Sequence, residues 1–277
     1  MKNNITVIST IYNEEKRIEN FIEGLSWCDD ILIINKGSTD KTADFCKGKN
    51  ITVFNFPYTD KDGDLMSKVI NFAKHDWIAF AVASDIIDFS LIKEVNKLIS
   101  SKNFTYNTIV VPFKNYILGL NLKGSPWYVP NGKRYFFRKS SLNFSNEVHY
   151  EIQFDTNSVL KLQCKGYVYH LTHQSVLSQN ERHIRYTQRE ADIMVQKNIS
   201  ITRLRWGLIK LVISLLIKKN FLFKSNDVFA LNIAFIAYHI HRFLFTWEKN
   251  KSIEDEYAQI RRNILRDIKD IETENDC

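Results

Sequence analysis

The side chains able to do chemistry in this chain gather just after short apolar runs. Thr10 with Asn13 and Glu14, Asn35 with Asp40, and Ser84 with Asp85 each follow a β-branched or aliphatic stretch, and they offer hydroxyl, amide and carboxylate groups for a polar ligand. His149 and Glu151 stand two apart in a strand-like run, so both side chains point to one face. That pairing suits an imidazole contacting a phosphate or a metal beside a carboxylate that accepts a proton. Trp127 and Arg134 add an aromatic face for stacking and a guanidinium for an anion. Each also has a plainer reading: Asn13 as a helix cap, Asp40 as a charge at a helix N-terminus, Asp85 as a cap, His149 and Glu151 as a surface pair, Trp127 as a half-buried aromatic.

The elements that must position these groups follow from hydrophobic periodicity. Ile5–Thr10, Ile31–Asn35, Ile51–Phe56 and Trp77–Ala83 read as strands, spaced so that one helix fits between each pair, the rhythm of βαβ units on a parallel sheet. The first helix is predicted from Asn13 to Leu25, with Ile18, Phe21, Ile22 and Leu25 on one face. Such a sheet binds ligands at the carboxyl ends of its strands, where the polar loops fall. No GxGxxG follows the first strand and no GxxxxGK[ST] is present, which weighs against a dinucleotide oxidoreductase and a P-loop enzyme. From Phe104 to His170 the pattern is strand and loop, with Tyr135–Arg138 and Val148–Phe154 as short strands. From Ser175 onward it is helical and free of proline. In the last helix Ile253, Tyr257, Ile260, Ile264, Ile268 and Ile271 recur every three or four residues, a stripe expected to face the core.

The 277 residues are 44% hydrophobic and 25% charged, the balance of a folded protein. Cys28, Cys46, Cys164 and Cys277 show neither CxxC nor Cys/His ligand spacing, so free thiols are expected and neither a zinc site nor a disulfide scaffold. The net charge of +7 is concentrated: between Arg203 and Lys249 there are eight Lys and Arg against two acids. A basic block this apolar suits an anionic membrane surface better than nucleic acid, and no nucleic-acid-reading motif accompanies it. The apolar runs Leu211–Ile217 and Ile233–Ile240 fall short of the roughly 20 residues of a membrane span, so no span is predicted. The N-terminus lacks the pattern of a signal peptide, and a cytoplasmic protein is expected, peripheral on the inner membrane if the basic block binds lipid.

The text VISTIYNEEKRIENFIEGLSWCDDILIINKGSTDKT resembles the opening of family 2 glycosyltransferases with the GT-A fold, in particular the bacterial branch that builds lipopolysaccharide core and related surface glycans. Asn13-Glu14-Glu15, Trp27 and Gly37-Ser38-Thr39-Asp40-Lys41-Thr42 occur in the family's order. Asp76-Trp77-Ile78, Pro126-Trp127-Tyr128, Arg134–Arg138 and Val148-His149-Tyr150-Glu151 are similar to later family elements.

The resemblance implies an α/β, GT-A-like Rossmann-type mixed sheet with helices on both faces over residues 1–195, and a basic all-helical appendage over 196–277. It implies transfer of a sugar from a nucleotide-sugar donor to a surface-glycan or glycolipid acceptor, with inversion. Thr10, Asn13, Glu14, Asn35, Asp40, Ser84 and Asp85 would bind the nucleotide. Glu151 would be the general base with His149 at the pyrophosphate, and Trp127 and Arg134 would hold the acceptor.

Three departures accompany the match. Asn35 stands where the family usually has the Asp that holds the nucleobase. The two acids of the DxD pair that carries Mg²⁺ or Mn²⁺ are replaced by Val82 and Ser84, which leaves Asp85 as the metal ligand and Asp88 nearby. Tyr150 separates a His and a Glu that the family has adjacent. The replaced DxD predicts weak metal dependence, and it keeps open a catalytically silent relative that binds a glycan or a partner. A homo-oligomer is compatible with all of this.

Overall fold

The computed structural model describes residues 3–48, 50–59, 62–144, 153–154, 158–218 and 225–275. By packing, the chain divides into two compact units, Met1–Asn121 with Trp127–Thr172, and Leu122–Pro126 with His173–Cys277. The helix Val176–Gln196 falls in the second unit.

In the first unit β1 (Ile5–Ile11), β2 (Ile31–Asn35), β3 (Ile51–Asn55) and β4 (Trp77–Phe80) are parallel, in the order β3-β2-β1-β4. The chain continues through β5 (Asp85–Ile87), β6 (Thr108–Val111), β7 (Phe113–Ile117), β8 (Lys133–Arg138), β9 (Leu142–Asn143), β10 (Gln153–Phe154), β11 (Val159–Lys161) and β12 (Val168–Thr172). β8 lies antiparallel to β4, β6 antiparallel to β8, and β11 parallel to β6, which completes a seven-stranded mixed sheet. β5, β12 and β7 form a separate three-stranded sheet with β12 in the middle, and β9 pairs with β10. The helices of this unit are α1 (Ile18–Gly24), α2 (Thr42–Phe45), α3 (Asp62–Val69) and α4 (Phe89–Ile99).

The central strands β1, β2 and β4 are almost wholly buried, and their apolar residues serve both faces of the sheet because both are covered. Ile5, Val7, Ile31 and Ile33 alternate onto one face, where Phe21 of α1 and Leu91, Ile92 and Val95 of α4 pack. Ile8, Leu32 and Ile34 turn to the other, against Leu65 and Val69 of α3. Each such fully buried side chain contributes about 1.5–3 kcal/mol. Gly132, at φ +73°, is needed where the chain enters β8: a Cβ there would stand 2.3 Å from the Val111 carbonyl oxygen.

The expected strands in the first hundred residues and Tyr135–Arg138 agree with the structure except at their ends, while residues 148–152 of the expected strand Val148–Phe154 lie outside the described residues. β4 stops at Phe80 because the Val82 N–H turns back to the Asp85 carboxylate, and the chain leaves for the small sheet. The first helix begins at Ile18, not Asn13, since Asn13 sits at φ 52°, a left-handed conformation that cannot start a helix. Asp88 is the N-cap of α4, accepting the Ser90 N–H at 2.8 Å.

The second unit contains α5 (Val176–Gln196), α6 (Ile201–Lys218), α7 (Asn226–Lys251) and α8 (Ile253–Asn275). α5 packs along α7 and α6 packs on α7. The stripe expected to bury α8 is instead open, with Tyr257, Ile260 and Ile264 exposed. Periodicity fixes which residues share a face, not whether that face finds a partner. α7 runs unbroken through the residues that interrupt its apolar text, and by length and composition alone it is long and apolar enough to cross a membrane.

Candidate functional site

The loops after β1 and β2 are stitched to each other. The backbone N–H of Asn13 donates to Ser38 Oγ at 3.0 Å, and its side-chain Oδ1 accepts the Thr39 N–H at 2.8 Å. Glu14 N–H donates to Thr42 Oγ1 at 2.7 Å. Glu15 N–H donates to Asp40 Oδ2 at 3.2 Å, while the Glu15 carboxylate accepts Lys41 N–H at 3.2 Å and Asp40 Oδ1 accepts Thr42 N–H at 3.0 Å. Burial works to raise the Asp40 carboxyl, but these donors from Thr42 and Glu15 outweigh it and hold the group below the usual carboxylate range. The Glu14 carboxylate is taken by the Arg17 guanidinium. Gly37, at φ +72°, makes the turn that brings Ser38 and Thr39 back to Asn13.

Asn35, at the last position of β2, is 5% exposed. Its Oδ1 accepts the Ser38 N–H at 3.0 Å and its amide donates to Asn55 Oδ1 at 2.9 Å across the β2–β3 pair. Thr10 donates to Asp62 Oδ2 at 3.4 Å, and Lys36 Nζ meets Asp62 Oδ1 at 2.8 Å, so Asp62 ties the ends of β1 and β2 to the start of α3. The rings of Tyr12 and Tyr58 lie 4.5 Å apart beside them, with Lys36 Nζ 5.5 Å from the Tyr58 ring centre. Tyr58 is half exposed, an aromatic surface at the mouth of the loops.

A second group forms where the chain leaves β4. Asp85 is buried, and its Oδ2 accepts the Tyr135 O–H at 2.8 Å and the Val82 N–H at 3.1 Å. Its Oδ1 meets His170 Nδ1 at 2.7 Å, and Ser84 Oγ lies 3.3 Å from the same nitrogen. Facing a carboxylate, Nδ1 is the donor of this pair. Burial, and then the Asp85 charge, push the Tyr135 hydroxyl well above its ordinary value, which keeps it a donor.

Strand register explains the grouping, because Asp85 of β5, His170 of β12 and Asn115 of β7 are direct partners across the small sheet. Asn115 donates to the Trp127 carbonyl at 3.2 Å, while its own Oδ1 is buried without a partner. Trp127 is half-buried. Arg134 is exposed at the start of β8, two residues before Phe136, which pairs with Ala79; it therefore lies toward the carboxyl end of β4.

The predicted nucleotide residues thus fall into two sets at the carboxyl edge: Thr10, Asn13, Glu14, Asn35 and Asp40 in one, Ser84 and Asp85 in the other. His149 and Glu151 lie outside the described residues. His170, Tyr135, Asn115, Lys36 and Asp62 were not singled out from the sequence. His170 stands 85 residues from its carboxylate, and only the pairing of β5 with β12 joins them. The described residues around the Asp85 turn do not fit a divalent ion. Val82 and Ser84 bring no charge, the Asp85 oxygens are filled by protein donors, and among the described residues no group of three His, Cys, Asp or Glu converges.

Among solved structures, one is similar to this chain at a TM-score above 0.5. The mannosyltransferase PcManGT from Pyrobaculum calidifontis, solved with GDP-Man and Mn²⁺, is similar at a TM-score of 0.54 and 12% identity, covering 89% of this chain and 88% of that one. S. aureus TarS 1-349 in complex with UDP-GlcNAc gives 0.48 and 13% identity over 90% of this chain and 92% of that one. Against a longer S. aureus TarS chain the TM-score is 0.45 at 15% identity, covering 69% of this chain, which spans 40% of that one. At 12% identity the likeness to PcManGT is one of fold. The family model described as Glycosyl transferase family 2 matches residues 6–154, a stretch holding both stitched loops and the Asp85 turn, and the chain belongs to that family.

Proposed function

We propose that the protein transfers a sugar from a nucleotide-sugar donor to a surface-glycan or glycolipid acceptor, with inversion, in the cytoplasm and in the manner of the lipopolysaccharide-core branch. The observation that carries this reading is the pair of stitched loops at the carboxyl edge of the sheet, beside the exposed Tyr58 ring. The nucleotide lies across these loops, Trp127 and Arg134 take the acceptor, and Glu151 serves as general base with His149 toward the pyrophosphate. The replaced DxD favours a second reading, a relative that binds nucleotide or glycan without transferring it.

A thermal-stabilisation screen of nucleotide diphosphates and nucleotide sugars, with Mn²⁺ and with EDTA, tests the first step, because a ligand of the folded state raises the melting temperature. A shift that survives EDTA is expected. No shift with any nucleotide at millimolar concentration removes the transferase reading. A shift lost in EDTA and restored by Mn²⁺ shows that the chain assembles a metal site after all. Nucleotide binding without turnover across acceptors selects the silent relative.

A further inference from the structure

The helical unit buries Gln179, His183, Thr187, Asn232 and Thr246, all polar, beside Ala191, Leu215, Val228 and Leu231, while many of its large apolar side chains face outward. On α7, Phe229, Ile233, Ile240, Leu244 and Trp247 follow each other at helical spacing on the outer side, each between 39% and 46% exposed. The polar positions of α7 turn instead to α5: Tyr238 donates to Glu190, Arg242 pairs with Glu190 at 3.4 Å, and Lys249 with Asp192 at 2.6 Å.

α6 repeats the arrangement. Leu215 is buried, while Trp206, Ile209, Ile213 and Ile217 form an outward stripe, 53%, 38%, 47% and 69% exposed. Arg203 and Lys210 border this stripe on one side and Arg205 on the other, and α6 contains no acidic residue.

We infer that the outward stripe of α6 is an in-plane membrane contact, seated in the headgroup region of an anionic lipid surface. An apolar stripe of this width with tryptophan and flanking cations matches an interfacial helix, in which the apolar groups enter the headgroup and acyl boundary and the cations meet lipid phosphates. Charge selects lipid over a second copy of the chain: two such stripes face to face would bring only like charges together, with no acid on α6 to answer them. Spanning by α7 is disfavoured by its neighbour, because α5 carries Glu181, Arg185 and Asp192 on exposed positions beside the charged seam, and a helix so charged does not enter hydrocarbon. The contact is independent of the transferase reading, since a chain without transfer activity would bind the surface equally.

The test is flotation of the full-length protein with vesicles of phosphatidylcholine alone or of phosphatidylcholine with phosphatidylglycerol. Recovery with the anionic vesicles at low salt, little with the neutral ones, and release by high salt are expected. The triple variant Arg203→Gln/Arg205→Gln/Lys210→Gln should partition about a hundredfold more weakly to anionic vesicles, at roughly fivefold per basic residue. The double variant Ile209→Ser/Ile213→Ser, which alters only exposed positions, should remain in the soluble fraction. Equal recovery with neutral and anionic vesicles, no recovery with either, or flotation unchanged by both variants overturns the inference. So does binding that resists high salt and yields only to detergent, which would mark a spanning helix. A dimer without vesicles that Ile209→Ser/Ile213→Ser converts to monomer would show that a second copy occupies the stripe.

Discussion

Replacing Asp85 probes the one carboxylate left at the altered DxD. With the aspartate, Oδ2 holds the Tyr135 hydroxyl and the Val82 N–H, and Oδ1 holds His170 Nδ1. Asp85→Asn fits the same space, and its best orientation puts the amide oxygen at the Oδ2 position, where both donors are kept. The amide NH₂ then faces His170 Nδ1, which must become an acceptor, so the imidazole proton moves to Nε2. The bonds survive in number but lose their charge assistance, a cost of about 1–2 kcal/mol, or roughly 2–8 °C in melting temperature for a chain of this size. Asp85→Ala leaves the Tyr135 hydroxyl, on a side chain only 3% exposed, without an acceptor. That orphan and the cavity together cost about 2–4 kcal/mol. In a Tyr135→Phe background the alanine change should cost about 1–3 kcal/mol less, because the stranded donor is gone. Thermal or urea unfolding of the four proteins gives the cycle, and nitrogen NMR of His170 reads the tautomer. Strictly additive costs in the cycle, or Asp85→Asn with unchanged tautomer and stability, would refute the geometry.

Asn35→Ala removes the acceptor for the Ser38 N–H and the donor to Asn55, so it should destabilise the chain by about 1–2 kcal/mol. It should also weaken nucleotide binding through the loosened loop; calorimetry with unchanged affinity would show that the loop does not contact the ligand. Glu151→Gln should leave donor binding intact and lower turnover in any active preparation, and equal turnover would transfer the role of base to Glu147 or His149. Burial, helped by the Arg242 charge and opposed by Glu190, pulls His239 down from 6.5 to about 4, and burial with His241 and Arg182 lowers His183 as well. The unfolded chain then binds more protons between these values, so stability should fall as pH drops from 6.5 toward about 4. His239→Gln should flatten that slope, and a melting temperature constant across the window would remove the reasoning.

The sheet was legible because strands packed inside a parallel sheet are rich in Ile, Leu and Val: Ile31–Asn35 is an almost continuous apolar run, and Ile5–Ile11 and Ile51–Asn55 are β-branched runs broken only by Thr, Ser and a terminal Asn. The loops were legible as polar text after those runs, and their contact with each other follows from the adjacency of β1 and β2. What was not legible depends on long-range register. The Asp85–His170 pair arises because a three-residue strand, β5, pairs with β12 in a second sheet, and nothing near Asp85 in the text announces a partner 85 residues on. The start of α1 was misplaced for a local reason: Asn13 is an excellent cap by residue type, but its oxygen is claimed by Thr39 from the neighbouring loop. The exposed stripe of α8 fails differently, since a period of three and four says that one face is apolar and leaves its partner unspecified.

Asn13, Asp40 and Asn35 are each spent on another part of the protein, and this changes what their types mean. A side chain that contacts a ligand and one that holds the loop around a ligand are chosen by the same chemistry, short polar groups able to accept backbone N–H bonds. They differ in what their loss does to the empty protein. Removing a contact lowers affinity and leaves the unliganded chain as stable as before. Removing a staple loosens the loop whether or not ligand is present, so stability and affinity fall together. The bonds that Asn13, Asp40 and Asn35 make put them with the staples, and the half-exposed Tyr58 ring is where a contact should be sought.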